Sequence, residues 1–129
     1  LISEVDRADI MVFAVPIYNF SIPAALKAWV DMVCRDNVDG ATARGKKDPN
    51  RYKHAIVILT SNHTLAGADD EFATGFMQFI LKFIGCTDID IVDATGLANN
   101  KQGVLQSASD NIDSICQTVA RRNLSAAAE

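Results

Sequence analysis

Three short apolar runs alternate with three helical patterns along this chain. That alternation limits the folds open to it more than any other feature. The first run, Ile10 to Val15, is six consecutive apolar residues closed by Pro16. A run so short, and rich in Ile, Val and Phe, predicts a strand buried on both faces. The second, Ala55 to Leu59, followed by Thr60 and Ser61, has the same character. In the third, Asp88 to Asp93, Ile89 and Ile91 alternate with acids, which predicts a strand with one wet face at a sheet edge.

Each run is followed by a helix signal. Pro23 marks a first helical position, with Ser21 before it as a candidate cap. Ile22, Leu26, Trp29, Val30 and Val33 then share one face, opposite a charged row of Lys27, Asp31 and Arg35. A second helix is expected from Asp69 to Ile84, its amino end marked by Asp69, Asp70 and Glu71 and its exit by Gly85. A third is expected from Gly103 to Arg121, with Leu105, Ile112, Ile115, Cys116 and Val119 inward and residues 125–129 as a loose tail. Strand–helix repetition of this kind means parallel strands joined by right-handed crossovers. The fold class is α/β, a parallel sheet with flanking helices, and 129 residues fit one domain over 1–129.

Three features predict that this domain is incomplete at its amino end. The chain opens at Leu1, inside what reads as the end of a helix running to Ala8. Two buried strands followed by an edge strand call for further strands on the other side. No GxGxxG or Walker phosphate loop occurs. The connection from Asp36 to His54 is long and polar, and reads either as a functional loop or as solvated surface.

A hydrophobic content of 49% excludes a disordered chain. Twelve basic against sixteen acidic residues, net charge -4 and without a basic block, argue against nucleic acid or an anionic membrane surface as partner. No apolar run is long enough for a spanning helix. Cys34, Cys86 and Cys116 are odd in number and form no CxxC pair. They read as reduced, buried thiols of a cytoplasmic protein, not as a disulfide framework or a metal site.

Open parallel sheets bind ligands beyond the carboxyl ends of their strands. That rule selects Ile17, Tyr18, Asn19 and Phe20 after the first strand, and Ser61, Asn62, His63 and Thr64 after the second. In the first loop two aromatics flank an amide just before a helix start, which suits a flat heteroaromatic ligand; the same aromatics could instead close the top of the core. The second loop could bind a ligand's carbonyls or hold its own turn. His63 could move a proton or be an ordinary surface histidine. The helix at 69–84 is apolar around most of its circumference, through Phe72, Phe76, Met77, Phe79, Ile80, Leu81, Phe83 and Ile84. Either a partner subunit or deep burial would satisfy it.

The stretch PIYNFSIPAALKAWVDMVCR, from Pro16 to Arg35, strongly resembles the FMN-dependent NADH-azoreductases and the related flavodoxin-like quinone reductases. The shared positions are Pro16, Tyr18, Asn19, Phe20, Pro23, Leu26, Lys27, Trp29 and Asp31. A weaker resemblance continues through AIVILTS and FILKFIGCTDIDIVDATGLA. The resemblance implies a flavodoxin-like three-layer fold with FMN at the sheet top. It also implies electron transfer from NADH or NADPH to quinones or azo compounds, usually in a homodimer whose subunits share the site. It maps flavin contacts onto Ile17, Tyr18, Asn19 and Phe20 and onto Ser61, Asn62, His63 and Thr64, with no protein acid or base essential. The sequence departs from the family where Asn62-His63-Thr64 replace Arg-Gly-Gly, and where Asp36-Asn37-Val38-Asp39 carry no aromatic. Two other readings stay open: a non-enzymatic electron carrier or binding module of the same fold, and an inactive fragment. The chain by itself is expected to fold marginally and to bind FMN weakly, because the family's first two βα units have no counterpart in it.

Overall fold

The computed structural model describes residues 1–34 and 53–126. Its elements follow as α1 (Ile2–Arg7), β1 (Ile10–Pro16), α2 (Ala24–Val33), β2 (His54–Thr60), α3 (Ala73–Phe83), β3 (Asp88–Ala94) and α4 (Leu97–Ala126). The strands form one parallel sheet in the order β1-β2-β3. Ile10 lies opposite His54 and His54 opposite Asp88, and every later residue keeps step. The expectations for Arg35, for most of the polar connection and for the last three residues fall outside the described residues.

Helices cover both faces, as the alternating pattern predicts. On one face Ala55, Val57 and Leu59 of β2 are fully buried. Met11 and Val15 of β1, Val33 of α2, and Met77 and Leu81 of α3 pack around them. Phe13 and Trp29 meet edge to face, their ring centroids 5.4 Å apart. On the other face α4 lays Ala108 and Ile115 against Val92 and Ala94, with Ile56 and Ile58 partly covered. Lys53 is buried just before β2, and its Nζ donates to the Val5 carbonyl at 2.5 Å. A cation is favoured there, at the carboxyl end of α1.

Burial on both faces holds for β2 and fails for β1. Ile10, Val12 and Ala14 are exposed, Val12 to 62%. α4 reaches β3 and part of β2 but not this side of β1, and no described strand pairs with the outer edge of β1. β3 is an edge strand as expected, yet its acids are engaged. Asp90 lies 2.7 Å from Nε2 of the buried His54, and Asp88 pairs with Arg122 of α4.

The helix ends shift for local reasons. Pro23 stands just outside α2 as its cap, with no side-chain cap bond; Ser21 closes the preceding turn instead. α3 begins at Ala73, because residues 65–71 are held in turns by the bonds Ala68 N–H to Leu65 and Glu71 N–H to Ala68. α4 breaks at Asn100 (φ -153°). The Asn100 side chain accepts from the Gly103 N–H at 3.1 Å, a helix-capping bond. The regular helix thus starts earlier than Gly103 and continues past Arg121. Its inward stripe is Val104, Ala108, Ile112, Ile115 and Val119. Leu105 and Cys116 lie one residue off that stripe and are exposed, a correction to the periodicity reading.

Leu59 and Leu81 are fully buried, so truncating either to Ala should cost about 2–5 kcal/mol. Val12→Ala should cost about 0.5 kcal/mol or less, as at other exposed positions. Urea unfolding of the three variants checks this; a Val12 cost equal to that of Leu59 would put the outer face of β1 in the core.

Candidate functional site

Parallel pairing in step brings the carboxyl ends of all three strands to one edge. The first loop continues the pairing by one bond, from the Ile17 N–H to the Thr60 carbonyl at 2.8 Å. Ile17 is buried there. Tyr18 and Ser21 then exchange both backbone hydrogen bonds, at 2.9 and 3.1 Å. Between them Asn19 and Phe20 both have positive φ, 48° and 70°, the signature of a type I′ turn. Asn tolerates that region and Phe does not, so Phe20 stores strain of about 1–2 kcal/mol. The Phe20 carbonyl is held by the Phe72 N–H at 2.8 Å. The turn sends the aromatics outward: Tyr18 is 61% and Phe20 48% exposed. They are not core aromatics closing the sheet.

In the second loop the four candidates divide. The Ser61 hydroxyl donates to the Thr64 carbonyl, so this pair holds the turn itself. Asn62 and His63 are exposed. Further along, the buried Glu71 carboxylate accepts from the N–H groups of Gly67 at 3.0 Å and Thr74 at 2.8 Å. Burial alone would raise this carboxyl. The backbone amides of Gly67 and Thr74 that it accepts from favour the charged form, and the net direction is down.

The third loop was missed by sequence reasoning, although the strand-end rule applies to it equally. Asp93 and Thr95, two residues apart, form a side-chain turn: Asp93 Oδ1 accepts from the Thr95 N–H at 2.9 Å and from its hydroxyl at 2.6 Å. Gly96 has φ +74°, a left-handed conformation that favours glycine, and a Cβ there would push aside the flexible end of the exposed Leu65. The second and third loops are tied by bonds from Leu97 N–H to the Ser61 carbonyl and Ala98 N–H to the Asn62 carbonyl, at 3.0 and 3.1 Å. Leu65 and Phe72 are exposed beside them, and periodicity had assigned Phe72 only to a helix face. The strand-end loops therefore combine exposed apolar side chains (Tyr18, Phe20, Leu65, Phe72) with polar Asn19, Asn62 and His63.

The described thiols offer no nucleophile to this edge. Burial pushes Cys86 up to about 11, against a lowering influence from Lys53, and burial with the Asp31 charge raises Cys34. Only these two are shielded; Cys116 is exposed. No group of His, Cys, Asp or Glu among the described residues could hold a metal ion. What the loops supply is an exposed surface of aromatic, aliphatic and amide side chains at the strand ends.

The topology defines an open α/β protein whose strand-end loops gather at one edge of a parallel sheet. The chain belongs to the flavodoxin-like fold family, matched over residues 2–116. It is 43% identical over 116 residues to FMN-dependent NADH:quinone oxidoreductase 1 of Jannaschia sp. (strain CCS1), covering 89% of this chain and 61% of that protein. It is 37% identical over 118 residues to the FMN-dependent NADH:quinone oxidoreductase of Thiobacillus denitrificans, covering 91% and 58%. The chain thus spans about 60% of the length of these relatives. Among solved structures, an FMN-dependent NADH-azoreductase from Bacillus anthracis in complex with FMN superposes with a TM-score of 0.75 at 24% identity, over 92% of this chain and 60% of that one.

Because the Glu71 carboxyl is held below its ordinary value, its contribution is complete above the usual Glu range and is lost as pH falls through the folded value. The stability gap between wild type and Glu71→Gln should be full at pH 6 and shrink below about pH 4, as read by thermal melts; a gap constant down to pH 3 contradicts the assignment. Phe20→Gly relieves the positive φ and should leave stability within about 1 kcal/mol of wild type, measured in the same melts, despite removing a large side chain.

Proposed function

We propose that the strand-end loops hold the ring system of FMN, and that the protein passes electrons from NADH or NADPH to a quinone or azo acceptor. The observation that carries this reading is the strained Tyr18-Asn19-Phe20-Ser21 turn, fixed to the end of β2 and the start of α3 so that an amide and two aromatics stand exposed at the strand ends, the edge from which the loop of Asn62 and His63 also leaves. Strain held by surrounding bonds is expected at a ligand site. The relatives' names, and the bound FMN of the azoreductase, support FMN as the cofactor.

The residues present fit a planar ring with one polar edge. Asn19, with the backbone of Ile17 to Phe20, would meet that edge; Tyr18 and Phe20 would wall the ring. The backbone of Ser61 to Thr64, with the side chains of Asn62 and His63, would close the second side. Asn62 and His63 stand where the family has Arg-Gly, so side chains take over from close backbone approach. When bound, FMN supplies the hydride and electron chemistry, and the protein orients it and excludes water. No side chain of this chain need act as acid or base.

The outer surface of α3 supports a homodimer. Phe72 and Phe79 are exposed, and Phe79 stacks on Phe83 with centroids 6.5 Å apart. The stripe starts at the site, next to the Phe20 carbonyl, so a second copy laid on it would also cover the site. Reduced thiols fit a cytoplasmic setting. No helix among the described residues is long and apolar enough to cross a membrane.

Asn19→Ala should weaken FMN by about 1–3 kcal/mol, the cost of leaving a polar partner unpaired, in a flavin-fluorescence titration; unchanged affinity removes Asn19 from the site. Quinone-dependent NADH oxidation by the flavin-loaded protein separates the enzyme from an electron carrier of the same fold. Phe79→Glu should shift the sedimentation velocity from dimer to monomer; an unchanged dimer would move the interface away from α3.

A further inference from the structure

Thr95 sits at the crossing of the second and third loops and is 4% exposed. Its hydroxyl donates to Asp93 Oδ1 at 2.6 Å and accepts from the Ala66 N–H at 3.0 Å. Asp93 Oδ1 also takes the Thr95 N–H at 2.9 Å. The carboxylate claims the hydroxyl proton, which leaves the oxygen lone pairs to face Ala66. One buried hydroxyl thus serves as donor to the third loop and acceptor for the second, and only Ser or Thr can do both with one short side chain. Ser61 repeats the device at the other end of the same loop: it donates to the Thr64 carbonyl and accepts from the Gly96 N–H at 3.3 Å. The segment 61–66 is therefore pinned at both ends to the third loop by buried or half-buried hydroxyls, with Asn62 and His63 exposed between the pins.

We infer that Thr95 is a positioning residue for the cofactor site. Oriented by Asp93, it fixes the height of the 61–64 loop against the ring, although it would touch no cofactor atom itself. The inference rests on the flavin reading above and adds to it a residue outside both candidate loops. A loop lacking the family's paired glycines presents side chains to its ligand, and side chains need a fixed backbone to be placed. Loss of the pin leaves the half-buried Ala66 N–H without its acceptor and loosens the far end of the loop, while the Leu97 and Ala98 bonds still hold 61–62.

The test compares the full chain with Thr95→Val, which keeps the shape without the hydroxyl, and Thr95→Ser, which keeps the hydroxyl. Hydrogen exchange is followed by mass spectrometry without ligand, and FMN affinity by fluorescence titration. In Thr95→Val, exchange in the 61–66 segment should rise about tenfold while β2 keeps its protection. FMN affinity should fall by about the same factor, the size expected of one buried hydrogen bond. Thr95→Ser should restore both. Unchanged exchange in 61–66, or unchanged FMN affinity beside faster exchange, overturns the inference. Absence of FMN binding by wild type, with the exchange effect intact, overturns the flavin reading instead. If Thr95→Val does not fold, Asp93→Ala reports the same loosening, because it removes the acceptor that orients the hydroxyl proton; wild-type exchange in that variant overturns the inference.

Discussion

Everything at the candidate site depends on three parallel strands pairing in step. Because Pro16, Thr60 and Ala94 share one level across the sheet, the three following loops must leave from the same edge. Only then can Ile17 bond to Thr60, and Leu97 and Ala98 bond to Ser61 and Asn62. A one-residue slip of β2 would turn Ala55, Val57 and Leu59 out of the core. The burial of β2 and the geometry of the site are thus one constraint seen at two places.

The loops turn that alignment into a surface by giving each polar group a defined task. The side chains of Ser61, Glu71, Asp93 and Thr95 are used in holding backbone. Asn19, Asn62 and His63 are exposed on these loops, as are Tyr18, Phe20, Leu65 and Phe72. Division of labour between inner groups that fix and outer groups that meet a ligand is what a preorganised binding site requires. The left-handed Asn19 and Phe20 belong to the same scheme, since the strain of the turn is held by the Phe72 N–H and by Ser21.

Much of this was legible in the sequence because apolar runs of five or six residues between helical periods leave few alternatives. The parallel sheet, the edge position of β3, the inward face of α2 and the glycine exit after Phe83 all follow from period and punctuation. The outer face of β1 was not legible. An apolar run records what a face is suited to, and the described elements cover only one side of Ile10 to Val15. The positive φ of Phe20 was also hidden, because an aromatic carries no turn signal and tertiary bonds impose the conformation. The third loop escaped for a different reason. Asp93 and Thr95 look like an ordinary polar exit from a strand, and their importance lies in Ala66, 29 residues away from Thr95.

The most direct measurement of the central claim is a two-dimensional amide NMR titration of the chain with FMN. The account predicts that the perturbed amides cluster at 17–21, 61–66 and 95–98, at the carboxyl ends of all three strands, while β1 and β2 interiors stay still. Perturbations confined to the outer surface of α4 or to the exposed face of β1 would contradict it.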